Sequence, residues 1–167
     1  MSVTREIKTA YRAPKLAMRR QLASGAGESR VLAYIIIACL LIFVSTLPKL
    51  SRDAFLNPEV PLEARIAAAL FGWVMMMPLV IYVLAALSHA VARVIGGRGD
   101  WFGARLALAW ALLATTPLWL FNGLVSGFVD PGPGQSLAGA IVIAGFAYIW
   151  GGSLWAAETP QAAEPKP

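Results

Sequence analysis

The sequence predicts an all-α membrane protein, with four transmembrane helices preceded by an amphipathic, basic N-terminal helix. Three observations carry this. Hydrophobic residues make up 58% of the 167-residue chain and charged residues only 14%, against about 25% charged in soluble domains. Mean hydropathy is +0.65. The charges are also segregated, since seven of the fourteen lysines and arginines fall within the first thirty residues and the long apolar stretches hold almost none. A pI near 9.8 would suit nucleic acid, but a basic end beside apolar spans is matched to anionic lipid headgroups instead. No nucleic-acid partner is expected.

Residues 1–30 form the basic segment. On a helix at about 100° per residue, Arg5, Lys8, Arg12, Lys15 and Arg19 fall in one sector of about 80°, and Ile7, Ala10, Tyr11, Met18 and Leu22 in a neighbouring sector of about 120°. This is the layout of an interfacial helix, its apolar stripe in the headgroup boundary and its basic stripe towards anionic lipid. The five basic residues are the candidate lipid or partner contacts, and the simpler role for them is a topology signal. Pro14 costs the helix a hydrogen bond, so a break is expected near Ala13-Pro14. The segment has no apolar core of a signal peptide, so the run from Val31 should remain as a span.

Four segments are long and apolar enough to cross a hydrocarbon core of about 30 Å: about 31–48, 66–95, 103–129 and 137–157. Helix follows because every backbone polar group must be paired inside lipid. Pro48 is expected to close the first span. The second is about 45 Å long at 1.5 Å per residue, and is read as a single helix kinked at Pro78 whose His89–Ile95 end projects beyond the lipid. Gly96-Gly97-Arg98-Gly99-Asp100 breaks the chain after it, and Asp130-Pro131-Gly132-Pro133-Gly134 links the third span to the fourth. Residues 158–167 are expected to form a disordered tail. Loop arginines and lysines place eleven basic residues on the side of the N-terminus and three on the other, so both termini should face the cytoplasm.

Polar residues within the spans are few. His89 and Arg93 are four apart and share a helix face with Ser88 near them. A lone histidine near a helix end reads as an interfacial or hydrogen-bonded residue rather than a metal or pigment ligand. Pro117 frees a carbonyl near Leu113, which a threonine hydroxyl from Thr115-Thr116 can satisfy. Asn122 is expected to bond across helices. Small-residue stripes at Ala140, Ala144, Ala147 and Gly151, at Ala68 and Gly72, and at Gly123 and Gly127 permit close helix approach, equally inside the bundle or at a dimer contact. Trp101 and Trp155 fall at the membrane–water boundary.

No catalytic set is visible: the spans contain no Ser/His/Asp combination, no paired carboxylates and no His-x-x-x-His. Gly96-Gly97-x-Gly99 joins two membrane helices, so a dinucleotide role fails on context. Cys39, the one cysteine, lies inside an apolar run. No enzyme, cofactor or metal is expected. The partners expected are anionic lipids and other membrane proteins or a second copy of the chain.

Three stretches resemble the bacterial Yip1 family: the helix end Ala90-Val91-Ala92-Arg93-Val94-Ile95, the Gly96–Trp101 loop, and the alanine-rich span reaching Pro117. The basic N-terminal helix with its internal proline is similar too. The resemblance covers residues 5–157 and marks 31–157 as the four-span domain, although the family usually has five spans. It implies a multi-pass membrane protein with no catalytic residue set; eukaryotic relatives act in vesicle traffic and contact Rab GTPases. The expected role is a non-enzymatic inner-membrane protein that organises or assists membrane components through helix packing and lipid contact. The alternatives are a small transporter or channel using Thr115, Thr116 and Asn122, and an accessory subunit of a respiratory or photosynthetic complex.

Overall fold

A computed structural model describes residues 3–25 and 27–159. Two short helices, α1 (Val3–Arg12) and α2 (Pro14–Ala23), lead into α3 (Glu28–Leu56). Then α4 (Leu62–Leu70), a π-helical segment (Phe71–Met76) and α5 (Met77–Val94) run on as one rod of 33 residues. The remaining helices are α6 (Trp101–Phe128) and α7 (Pro133–Glu158). Four of these rods are long and apolar enough to cross a membrane: Glu28–Leu56, Leu62–Val94, Trp101–Phe128 and Pro133–Glu158.

The bundle is built around α6. Its first half is buried on every side, with Leu106, Ala107, Ala109, Trp110, Ala111 and Ala114 all fully enclosed. Alanine on most faces lets neighbouring helices approach closely. Around it stand α3, α5 and α7, and the α1–α2 hairpin packs on α7 and reaches α6. Large apolar side chains such as Leu79, Val83, Leu87, Phe121 and Ile143 point outwards, each more than half exposed. A surface so continuous in large apolar groups is that of a protein solvated by lipid.

The chain alternates between two ends of the bundle. The hairpin, the start of α3, the loop between α5 and α6, and the end of α7 gather at one, called here the arm end. The other end holds the linkers after α3 and α6, joined where the Arg52 guanidinium donates to the Asp130 carboxylate and to the Val129 carbonyl. Arg105 pairs with Glu28 at the arm end.

Two expectations are corrected, at Pro48 and at Glu158. Pro48 does not close the first span, because α3 runs through it to Leu56. In the preceding turn the Ser45 hydroxyl donates to the Ile42 carbonyl at 2.6 Å and the Thr46 hydroxyl to the Phe43 carbonyl at 2.7 Å, while the carbonyl that Pro48 deprives of its helical donor is that of Val44. Of the small-residue stripes, Ala140, Ala144, Ala147 and Gly151 face outwards, away from the bundle's own contacts, and α7 buries Ala138, Val142, Ile149, Ser153 and Ala156. Around Gly72 the space is open. By contrast α6 lies tight on α3 at Gly123 and Gly127, where any Cβ would collide with the Ser45 carbonyl oxygen and with Pro48. Last, Glu158 belongs to α7, not to a tail; from residue 160 onward the expected tail lies outside the described residues.

The rod Leu62–Val94 does not turn back at Pro78. The ring crowds the carbonyl one turn earlier, and the helix widens to π turns just before it. At 33 residues the rod is about 50 Å long, well beyond the hydrocarbon thickness.

Candidate functional site

The polar chemistry of the described residues concentrates at the arm end, in three neighbouring features. The first is the arm itself. α1 stops at Arg12 and α2 restarts at Pro14, where proline's missing N–H suits a first helical position. The two helices fold against one another, with Glu6 and Arg20 paired at 3.5 Å. Ala10, Ala17 and Met18 are fully buried against Trp110, Ile149 and Ile35 and their neighbours. The apolar stripe therefore faces protein at Ala10 and Met18. Tyr34 donates its hydroxyl to Gln21 at 3.1 Å, tying α2 to α3. Burial pushes the Tyr11 phenol above its ordinary range. Arg5, Lys8, Arg12, Lys15 and Arg19 all remain exposed, with the Lys15 ammonium 5.2 Å from the Trp155 ring centroid.

The second feature is a clasp between distant helices. His89 on α5, 2% exposed, has its Nδ1 2.6 Å from Oε1 of Glu158 at the last turn of α7. The other carboxylate oxygen accepts from the Gly99 amide at 3.0 Å, and the Glu158 carbonyl accepts from the Arg98 amide at 2.9 Å. The Trp101 ring lies 4.5 Å from the imidazole. Every glycine of the loop has a reason. Gly96 ends α5 at φ +98°, a left-handed conformation that side chains resist, and the amides of Gly97 and Gly96 bond back to the Ala92 and Arg93 carbonyls. At Gly97 a Cβ would come within 2.8 Å of Glu158 Oε2, and at Gly99 within 2.9 Å of the Glu158 Cα. Asp100 then caps α6 by accepting from the Gly103 amide at 2.8 Å.

Arg93 does not join His89: it is exposed and makes no ion pair among the described residues. Thr116 donates to the Leu113 carbonyl at 2.8 Å, the carbonyl that Pro117 leaves free. The cross-helix bond expected of Asn122 does not form, and its Oδ1 is buried with no partner among the described residues. Glu158 was the residue that sequence reasoning passed over. Its signal was an acid closing an apolar span on the same side of the membrane as the one histidine.

The third feature is a groove of about 970 Å³ between α5 and α7. Leu108 of α6 forms its floor, Leu84, Leu87, Phe146 and Trp150 line it, and Arg98 and Glu158 close its arm end.

Long apolar rods, outward apolar surface and polar groups confined to the ends define a multi-pass helical membrane protein. A family model, the Yip1 domain, matches residues 9–164. The chain belongs to the Yip1 family. Neither a curated protein nor a solved structure matches it.

Proposed function

We propose that this Yip1-family protein is a non-enzymatic organiser of membrane components, lying in an inner membrane with both termini in the cytoplasm. It works through helix packing and through contact between its basic arm and anionic headgroups. One observation carries the reading. The arm is docked on the bundle by its small and apolar residues while Arg5, Lys8, Arg12, Lys15 and Arg19 stay exposed at the membrane end that also carries Trp101 and Trp155. A docked helix with free cations at headgroup level holds anionic lipid or an acidic partner beside the bundle without needing a reaction. The transporter alternative has less support, since Thr115 and Thr116 both turn their hydroxyls onto carbonyls of their own helix.

The test uses the full chain in neutral phosphatidylcholine nanodiscs, floated with phosphatidylglycerol vesicles. At about 1 kcal/mol per basic residue near an anionic surface, replacing Arg12, Lys15 and Arg19 together by alanine should weaken association by on the order of a hundredfold. Raised salt should weaken the wild type similarly. Binding that ignores both changes removes the arm from the mechanism. Crosslinking in native membranes, followed by identification of the attached proteins, then names the partner class.

A further inference from the structure

We infer that the groove between α5 and α7 is a binding site for one anionic two-chain phospholipid, its acyl chains over Leu108 and its headgroup at Arg98. The site is separate from the arm surface and does not depend on it. α6 is clothed by α3 and α5 on one side and by α7 and the arm on the other, and the sector between α5 and α7 is left uncovered. Its walls are apolar along their length, from Leu84, Leu87 and Val91 to Phe146, Trp150 and Leu154.

Size and charge select the occupant. At roughly 30 Å³ per water-sized unit, a figure that also suits a methylene, 970 Å³ takes about thirty carbons, the hydrocarbon of one two-chain lipid. At the arm end the one acid of the lining, Glu158, is already held by His89 and the Gly99 amide. Arg98 is exposed at the same place and makes no ion pair among the described residues. A trough for hydrocarbon that ends at a cation with no acid paired to it among the described residues is complementary to a phosphate headgroup on acyl chains.

Gly151 provides the means to close it, because it lines the groove and a Cβ there meets nothing within 4 Å. The experiment delipidates the full chain in mild detergent and titrates it with phosphatidylglycerol or phosphatidylcholine, counting bound lipid by native mass spectrometry. The wild type should retain one phosphatidylglycerol per chain and prefer it about fivefold, the equivalent of ~1 kcal/mol for one cation. Arg98→Gln, in an exposed loop, should erase the preference while binding persists. Gly151→Phe should abolish saturable binding of both lipids with the thermal transition preserved. Arg5, Lys8 and Arg12 changed together to alanine should leave the single lipid in place, which separates this site from the arm. The inference is overturned by full lipid occupancy in Gly151→Phe, by no headgroup preference in the wild type, or by a lipid-free dimer that Gly151→Phe dissociates.

Discussion

Removing the Glu158 side chain should unfasten the loop between α5 and α6. In Glu158→Ala the imidazole of His89, a side chain only 3% exposed, loses its partner at 2.6 Å, and the Gly99 amide loses its acceptor at 3.0 Å. A buried polar group left unpaired costs about 1–3 kcal/mol, and deleting one partner of a buried pair costs roughly 3–5 kcal/mol. Gly99 is only part-buried, so the lower end, about 3 kcal/mol, is expected. The loss falls on the segment 95–100 first, because structures open locally before they unfold globally. Arg98 stands in that segment and is a trypsin site. Cleavage of a transiently open form follows its population, and at 1.4 kcal/mol per tenfold, about 3 kcal/mol is on the order of 150-fold. The assay is the rate of tryptic cleavage at Arg98 in detergent, with Glu158→Gln as the milder variant that keeps an acceptor for Gly99. His89→Ala should raise the rate too, and the double variant His89→Ala with Glu158→Ala should fall short of the product of the two, as coupled partners do. A Glu158→Ala rate within about threefold of wild type would falsify the clasp.

Gly96→Ala forces a side chain to φ +98° and should cost about 1 kcal/mol, read as an earlier transition in mixed detergent–dodecyl sulfate titration with the α5 helix content unchanged. Gly123→Leu drives a side chain into the Ser45 backbone and should cost about 1–3 kcal/mol or more; a stability equal to wild type would mean that α3 and α6 are not in close contact there. Asp130→Cys and Arg98→Cys should take opposite labels in intact spheroplasts, the first reacting with a membrane-impermeant maleimide and the second protected, while buried Cys39 stays unlabelled in both. Reaction at Arg98→Cys alone would invert the orientation.

What could be read from the sequence tracks how local each cause is. Lipid demands length and the absence of charge, and both are visible residue by residue, so the four rods and the family are legible. The Thr116–Leu113 bond was legible because proline, hydroxyl and freed carbonyl lie within one helical turn. Spacing permits the close approach seen at Gly123 and Gly127, but the same spacing at Ala68 and Gly72 leaves open space around Gly72, so spacing alone does not say which stripe is packed. The face of α7 was not legible: a helix apolar all round carries no asymmetry to say which side meets protein and which meets lipid, so the sequence does not choose between an inward and an outward place for Ala140 and Ala144, which face out. Nor was the partner of His89, because Glu158 lies 69 residues away and only the fold brings them together. The same holds for the arm. Its helical periodicity shows a stripe, but not that Ala10 and Ala17 would be enclosed by α6 and α7 rather than resting in headgroups.

The two gaps beside α7 show how one helix sorts protein from lipid. Gly151 and Gly152 are successive, about 100° apart on the helix, and so look into different sectors. At Gly152 an added Cβ would come within 2.6 Å of the Pro14 ring, so the absence of a side chain is what lets the arm seat against α7. At Gly151 the same addition meets nothing, and the absence of a side chain leaves the trough open. One glycine therefore closes a gap with the chain's own N-terminal helices, while its neighbour keeps a gap that no described residue fills. That asymmetry argues against treating the arm and the groove as one basic surface. On the readings proposed above, the arm would meet headgroups from outside the bundle, and the groove would admit hydrocarbon beside Leu108. Arg98 stands at the groove mouth because the clasp holds its loop there, so an intact His89–Glu158 contact is a structural condition for headgroup selection.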